Sequence, residues 1–160
     1  MIDPAPTRRD FWRDRRVFVT GGHGFVGAHL VRLLRSLGAD VAAPTRAELD
    51  LERADAADAI VAARPAVLVH LAARFGGLGL VGMLPDIGPR NDAINRTVMD
   101  AARRCAPDRV LVAGSACAYP HTVPTPLRED AHLDGEPHPS VRDFALTKRA
   151  LVRWCRGQEG

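Results

Sequence analysis

The sequence predicts a doubly wound α/β fold, a parallel sheet with helices on both faces. Three observations predict it. Short apolar β-rich runs alternate with helix-period segments about five times along the chain. The first of these runs ends in a glycine-rich turn that leads into a helix pattern. The composition is that of one globular domain: 160 residues, 46% hydrophobic and 26% charged. Strands that alternate with helices favour parallel pairing through right-handed crossovers, which puts helices on both faces.

Residues 1–15 read as a polar arm, and residues 16–160 as the domain. Arg8, Arg9, Arg13, Arg15 and, at its end, Arg16 sit in the arm with Phe11 and Trp12. Either the aromatics pack on the domain edge while the rest is solvated, or the arginines meet an anionic partner. Val17-Phe18-Val19 reads as a buried first strand ending at Gly21-Gly22. Phe25, Val26, Leu30, Leu33, Leu34 and Leu37 then suit one helix face, with Gly38 a natural stop. Val41-Ala42-Ala43 is a weaker second strand. Glu52–Ala63 reads as a helix ended by Pro65, and Val67–Leu71 as a strong third strand. A helix over Asn91–Cys105, a strand over Val110–Ala113 and a helix over Phe144–Cys155 complete the series. Two long irregular stretches, 74–88 and 118–140, follow strands. In this architecture ligands bind beyond the strands' carboxyl ends, so both should border the site.

Composition also excludes several classes. No run of about 18 apolar residues is present, so no membrane partner is expected. The first sixteen residues have no apolar signal core. Cys105, Cys117 and Cys155 are an odd number without CxxC spacing, which argues against a disulfide framework or a metal site and for a cytoplasmic setting. The charge is +3 (22 Lys+Arg, 19 Asp+Glu) with the signs interspersed, so nucleic acid is not an expected partner.

The turn Thr20-Gly21-Gly22-His23-Gly24-Phe25-Val26-Gly27 carries the strongest functional signal. It fits GxGxxG as Gly22, Gly24 and Gly27, and GxxGxxG as Gly21, Gly24 and Gly27. Both describe the phosphate-binding turn of a Rossmann-type sheet. Glycine permits the tight turn and a close approach of pyrophosphate to the backbone. The helix start at Phe25 and Val26 then offers free N–H groups and a partial positive charge. About twenty residues on, where NAD-binding folds place an acid on the ribose 2′-hydroxyl, this chain has Pro44-Thr45-Arg46. A cation there suits a 2′-phosphate and favours NADP(H) over NAD(H); Arg46 can also be read as a solvated surface residue. Asp50 suits the adenine amino group, with Leu51 beside the ring, or equally a helix cap.

The order TGGHGFVG, HLAARFGGLG, GSACAYP and FALTK resembles the extended short-chain dehydrogenase/reductases, the NAD-dependent epimerase/dehydratase family, and within them the GDP-L-fucose synthase branch. PTRAELDL and Glu136-Pro137 resemble that branch at corresponding places. The likeness covers nearly all of residues 15–155 but only the first half of a family member, so the usual C-terminal substrate domain is expected to be lacking. The resemblance implies NADP(H) and a 4-keto-6-deoxy nucleotide sugar, epimerised beside its ketone and then reduced. It implies cofactor contact by Leu71, Ala72 and Ala73 after the third strand. It makes Ser115 the group that polarises the carbonyl, Cys117 a proton shuttle and Lys148 the partner of a catalytic Tyr, also holding the cofactor.

That Tyr position holds Phe144. The chain then reads as a degraded enzyme, as a mutated one, or as one in which another acid serves, with Tyr119 the candidate. Tyr119 and Cys117 each also have a packing interpretation. His121, His132 and His138 are expected to be solvated, and Cys105 and Cys155 to be core residues. Two function classes stay open: an NADP-dependent epimerase/reductase of impaired activity, or a non-catalytic dinucleotide-binding module or half of a two-chain enzyme. An open sheet edge makes a second copy or a complementing chain a plausible partner.

Overall fold

A computed structural model describes residues 8–75 and 86–157. The described residues fall into two compact units. One runs up to Ala72 and includes Arg96–Val112; the other comprises Ala73–Asn95 and the chain from Ala113 onward.

The first unit holds the whole sheet. Strands β1 (Arg16–Thr20), β2 (Asp40–Ala42), β3 (Val67–His70) and β4 (Arg109–Val112) lie in the order β2-β1-β3-β4. All pairs are parallel, with Val17 opposite Val41 and Val67, and Val67 opposite Arg109. The doubly wound parallel fold is therefore the observed one. Val17, Val19, Val41, Val67 and Val69 supply one packed face, covered by Val31 and Leu34 of α2 (Phe25–Ser36). Strand positions of opposite parity, Phe18 and Leu68, are buried too, as expected for central strands covered on both faces. Each such side chain contributes about 1.5–3 kcal/mol when fully buried.

Several expected details are corrected. Phe25, Val26 and Leu33 are exposed; the buried stripe of α2 is Gly27, Val31 and Leu34, at i, i+4 and i+7. The expected face was misplaced because Val31 was left out and the first-turn pair Phe25-Val26 was counted in. The next helix, α3, spans only Ala56–Ala62, because residues 51–55 form turns, one held by the Arg53–Asp55 ion pair at 2.7 Å. In the arm, α1 (Arg8–Trp12) is helical; Trp12 packs against the core, while Phe11 remains exposed beneath the Arg15 guanidinium, 4.2 Å away. Residues 1–7 of the arm lie outside the described residues.

The helix expected from Asn91 begins earlier: α4 spans Ile87–Cys105, its residues up to Asn95 belonging to the second unit and those from Arg96 to the first. The last helix, α5, spans Arg142–Gly157. Of the two stretches expected to be irregular, 76–85 lies outside the described residues. The other contains short 3-10 helices at Glu129–Leu133 and Pro139–Val141 and an isolated bridge between Pro120 and Pro137. The cysteines expected in the core, Cys105 and Cys155, are only half-buried. No described helix is long and apolar enough to cross a membrane.

Candidate functional site

The first unit builds a cradle at the carboxyl end of β1. Gly21 has φ +70°, and a Cβ there would lie 2.7 Å from the backbone nitrogen of Ala72. A Cβ on Gly27 would run into the carbonyl oxygen of Gly21 and come within 2.7 Å of the Gly22 Cα. These positions accept only glycine because strand end, turn and helix are in backbone contact. The N-cap of α2 is Gly24, which has no side chain to accept from the first turn, and no acid lies in that turn. The N–H groups of Phe25, Val26 and Gly27 therefore remain available to an outside acceptor. The residues present fit a pyrophosphate.

Three polar contacts, not found by sequence reasoning, tie this edge together, and the first of them is buried. Thr20 Oγ1 lies 2.7 Å from His70 Nδ1 and accepts the backbone N–H of Ala72 at 3.3 Å. Both residues read as ordinary strand positions; only their pairing opposite each other in the register joins them. His23 Nε2 sits 2.9 Å from the carbonyl of Ala43, linking the turn to the end of β2.

Arg46 is exposed, and its guanidinium lies 2.9 Å from Glu52 and 3.7 Å from Asp50. Asp50 also accepts the backbone N–H of Glu52 at 3.1 Å, a local turn bond rather than a helix cap; the N-cap of α3 is Asp55. Leu51 is buried. Leu71 packs on the core, and Ala72 abuts Gly21; Ala73 begins the second unit.

In the second unit, Ser115 caps a 3-10 turn over Ala116–Ala118. Its Oγ accepts from the Cys117 N–H at 3.2 Å, which leaves the hydroxyl proton free to donate elsewhere. Cys117 is half-buried against Ile87, Val141 and Phe144. Phe144 is 5% exposed, and its ring lies 4.8 Å from that of Phe75. Lys148 is one turn further along α5. Its Nζ donates to the Ala113 carbonyl at 2.9 Å and stands 5.7 Å from the centre of the Phe144 ring. The structure thus brings Cys117, Phe144 and Lys148 into one cluster. Tyr119 instead meets His132 edge-on at 4.8 Å. His132, expected to be solvated, is buried because the loop folds back on α5: Arg149 donates to the carbonyls of Ala118 at 2.7 Å and Gly135 at 2.6 Å. Burial and the nearby Arg149 and Arg156 charges push the His132 pKa down.

Asn91 was missed as well. Its side chain closes two hydrogen bonds with the backbone of Arg74, at 2.8 and 2.9 Å, and a third with the Ile87 carbonyl. A buried asparagine in a helix is the signal that would have found it. A second overlooked signal is that Lys148 is the only lysine in the chain; every other Lys or Arg is arginine. A compact ammonium, whose pKa shifts readily on burial, is kept at this one position.

Burial pushes the Lys148 pKa below its ordinary value of 10.5. The folded pKa is then the lower one, so between it and 10.5 the unfolded chain binds the extra proton. The contribution of this group to stability therefore rises with pH across that window and levels off above 10.5. Carbon NMR of the single lysine ε-carbon should show a midpoint below that of the same chain in urea; coincident midpoints would refute the burial argument.

The sequence profile of the NAD dependent epimerase/dehydratase family matches residues 17–159. The chain belongs to that family. A rice protein (Oryza sativa subsp. japonica) named Probable GDP-L-fucose synthase 1 is 38% identical over 97% of this family member and 49% of its own length. GDP-L-fucose synthase of Escherichia coli strain K12 is 31% identical over 88% of the chain and 45% of its own length. A GDP-L-fucose synthetase crystal structure from Naegleria fowleri superposes with a TM-score of 0.78 at 25% identity, covering 91% of this chain and 45% of that one. Its form bound to NADP gives 0.77 at 24% identity, over 91% of this chain and 45% of that one. This epimerase-family chain spans about half the length of the curated relatives it matches.

Proposed function

We propose that this chain is an NADP(H)-binding, epimerase/reductase-like protein of nucleotide-sugar metabolism, with a 4-keto-6-deoxy sugar nucleotide as its substrate class and an altered proton-transfer site. The observation that carries this reading is the Gly21–Gly27 cradle, where added Cβ atoms would strike backbone. Family membership and the names of the relatives support the sugar-nucleotide class. When bound, the dinucleotide supplies hydride. The chain's own residues do the rest. The N–H groups at the start of α2 hold pyrophosphate, with Leu71 and Ala72 beside them. The Ser115 hydroxyl donates to the substrate ketone, Cys117 moves the proton beside that ketone, and the Lys148 ammonium supplies charge.

A second reading, a non-catalytic dinucleotide-binding module or one half of a two-chain enzyme, is favoured by one observation. Phe144 packs among Ile87, Val141 and Cys117 and carries no exchangeable proton. The exposed Leu111 on edge strand β4 supports a second copy or complementing chain as partner. The cytoplasm remains the proposed location, from an odd number of cysteines without CxxC spacing.

Isothermal titration with NADPH and NADH tests both readings' common ground. Saturable binding of NADPH, tighter than NADH, is expected. Binding of neither would sink the dinucleotide function.

A further inference from the structure

Arg149 is the only buried arginine among the described residues, at 3% exposed. It lies about two turns before the end of α5, too far back to serve that helix terminus. Its Nε donates to the Ala118 carbonyl and its Nη1 to the Gly135 carbonyl, so one guanidinium ties together both ends of the loop between them. Those acceptors are neutral. No carboxylate pairs with Arg149 among the described residues, whereas Arg142, earlier on the same helix, meets Glu136. A full charge is thus buried without a counter-charge, which is costly unless an anion joins it.

Two buried side-chain atoms at this place also have no hydrogen-bond partner among the described residues, Arg149 Nη2 and His132 Nδ1. His132 is 8% exposed and sits on the 3-10 turn Glu129–Leu133, with the Tyr119 ring edge-on at 4.8 Å. The charges that act on it are those of Arg149 and Arg156, both positive. A neutral imidazole can carry its proton on Nδ1, which makes donors of both unpartnered atoms. Buried polar groups are seldom left without a partner, and where the protein supplies none, an ordered water or an ion is the usual one. A water satisfies the hydrogen bonds but leaves the charge unbalanced.

We propose that the buried face between the Glu129–Leu133 turn and α5 binds one small monovalent anion of the halide class, chloride in ordinary solution, with Arg149 Nη2 and His132 Nδ1 as its donors. The positive surroundings select an anion over water. The burial of both side chains selects a single-atom ion over a phosphate or carboxylate group. The ion completes the clamp: it neutralises the guanidinium that holds the loop's ends and joins the turn of that loop to the helix. The loop begins just after Ser115 and Cys117 and returns to the helix that carries Phe144 and Lys148, so the ion sets how firmly the chain between these residues is held. The site stands or falls independently of the dinucleotide function.

The test compares residues 1–160 in sodium chloride and in sodium gluconate at equal ionic strength. Melting, amide hydrogen exchange and the chlorine NMR line width are read. At chloride about ten times its dissociation constant, the melting temperature should lie about 3–6 °C above that in gluconate. Exchange over residues 118–137 should slow about tenfold, because opening the loop releases the ion. The chlorine line should broaden with protein and narrow again when bromide competes. His132→Phe keeps a ring against Tyr119 and removes the donor, so it should weaken chloride about 10- to 100-fold. Arg149→Met should abolish all three responses. Arg153→Ala, which removes an exposed arginine of the same helix, should keep chloride affinity within about twofold. Equal melting and line width in the two salts overturn the proposal, because water alone then meets the two donors. Slowed exchange spread evenly over the chain also overturns it, as does a His132→Phe protein that takes chloride like the parent or an Arg153→Ala protein that loses it. If Arg149→Met does not fold, His132→Phe and the exchange map decide.

Discussion

A chimera of this chain with the second half of the rice relative is expected to reduce a GDP-4-keto-6-deoxy sugar about 10²–10⁴-fold faster after Phe144→Tyr than before it. Hydride delivery to a ketone leaves an alkoxide that must take a proton. Phe144 has none to give: it is 5% exposed and packs with Ile87, Val141 and Cys117. Lys148, 5.7 Å from the ring centre, donates one N–H to the Ala113 carbonyl and supplies charge rather than a proton positioned as a phenol at 144 would be. The unmodified 160-residue chain should therefore turn over more slowly than about 10⁻² s⁻¹, below the ordinary range that starts near 1 s⁻¹. Phe144→Tyr in residues 1–160 alone should recover little, because they span about half the length of the relatives and a substrate must be held in a reactive geometry to react. The new hydroxyl would also enter an apolar cluster, at about 1–3 kcal/mol if it finds no partner. NADPH oxidation measured for the four proteins decides the matter. An unmodified chain that works at about 1 s⁻¹ or faster overturns the expectation; Tyr119→Phe would then test the other phenol.

Gly27→Ala is expected to remove dinucleotide binding, by about 100-fold or more, and to lower the melting temperature by roughly 6–12 °C. The reason is geometric. The added methyl would meet the Gly21 carbonyl oxygen and the Gly22 Cα, both backbone atoms of the turn that must cradle pyrophosphate. Backbone cannot rotate aside as a side chain can, so the turn must open, at a cost of about 3 kcal/mol for overpacking. Gly24→Ala is the companion variant. Its Cβ would lie 3.3 Å from the Gly21 carbonyl oxygen, close enough to need only a small shift, so this protein should fold and bind within about tenfold of the parent. Unchanged melting and unchanged affinity in Gly27→Ala would show that the turn does not hold phosphate in the way the backbone contacts imply.

Most of the sheet and of the cradle was legible in the linear sequence. Val17–Val19 and Val67–Leu71 are recognisable because strands covered on both sides are continuously apolar, and Gly21, Gly24 and Gly27 because their spacing is a property of the local turn. Boundaries read less well. Residues 51–55 read as helix but form turns, since Asp50 and the Arg53–Asp55 pair offer the backbone competing local bonds. The buried face of α2 was misplaced since periodicity gives a stripe and not its rotation against a sheet.

The sequence by itself determined the fold class, the glycine turn and the presence at position 144 of a ring with no exchangeable proton, because each depends on residue type and short-range spacing. Only the tertiary structure decided what the charged and polar groups meet. It joined Thr20 to His70 across fifty residues, buried His132 under a loop clamped by Arg149, and set Arg46 between Asp50 and Glu52. It also placed the Lys148 ammonium on a backbone carbonyl thirty-five residues away. A charge or hydrogen bond acts over a few ångströms of space, whichever residues the chain brings there, so long-range partners carry no signature in local pattern.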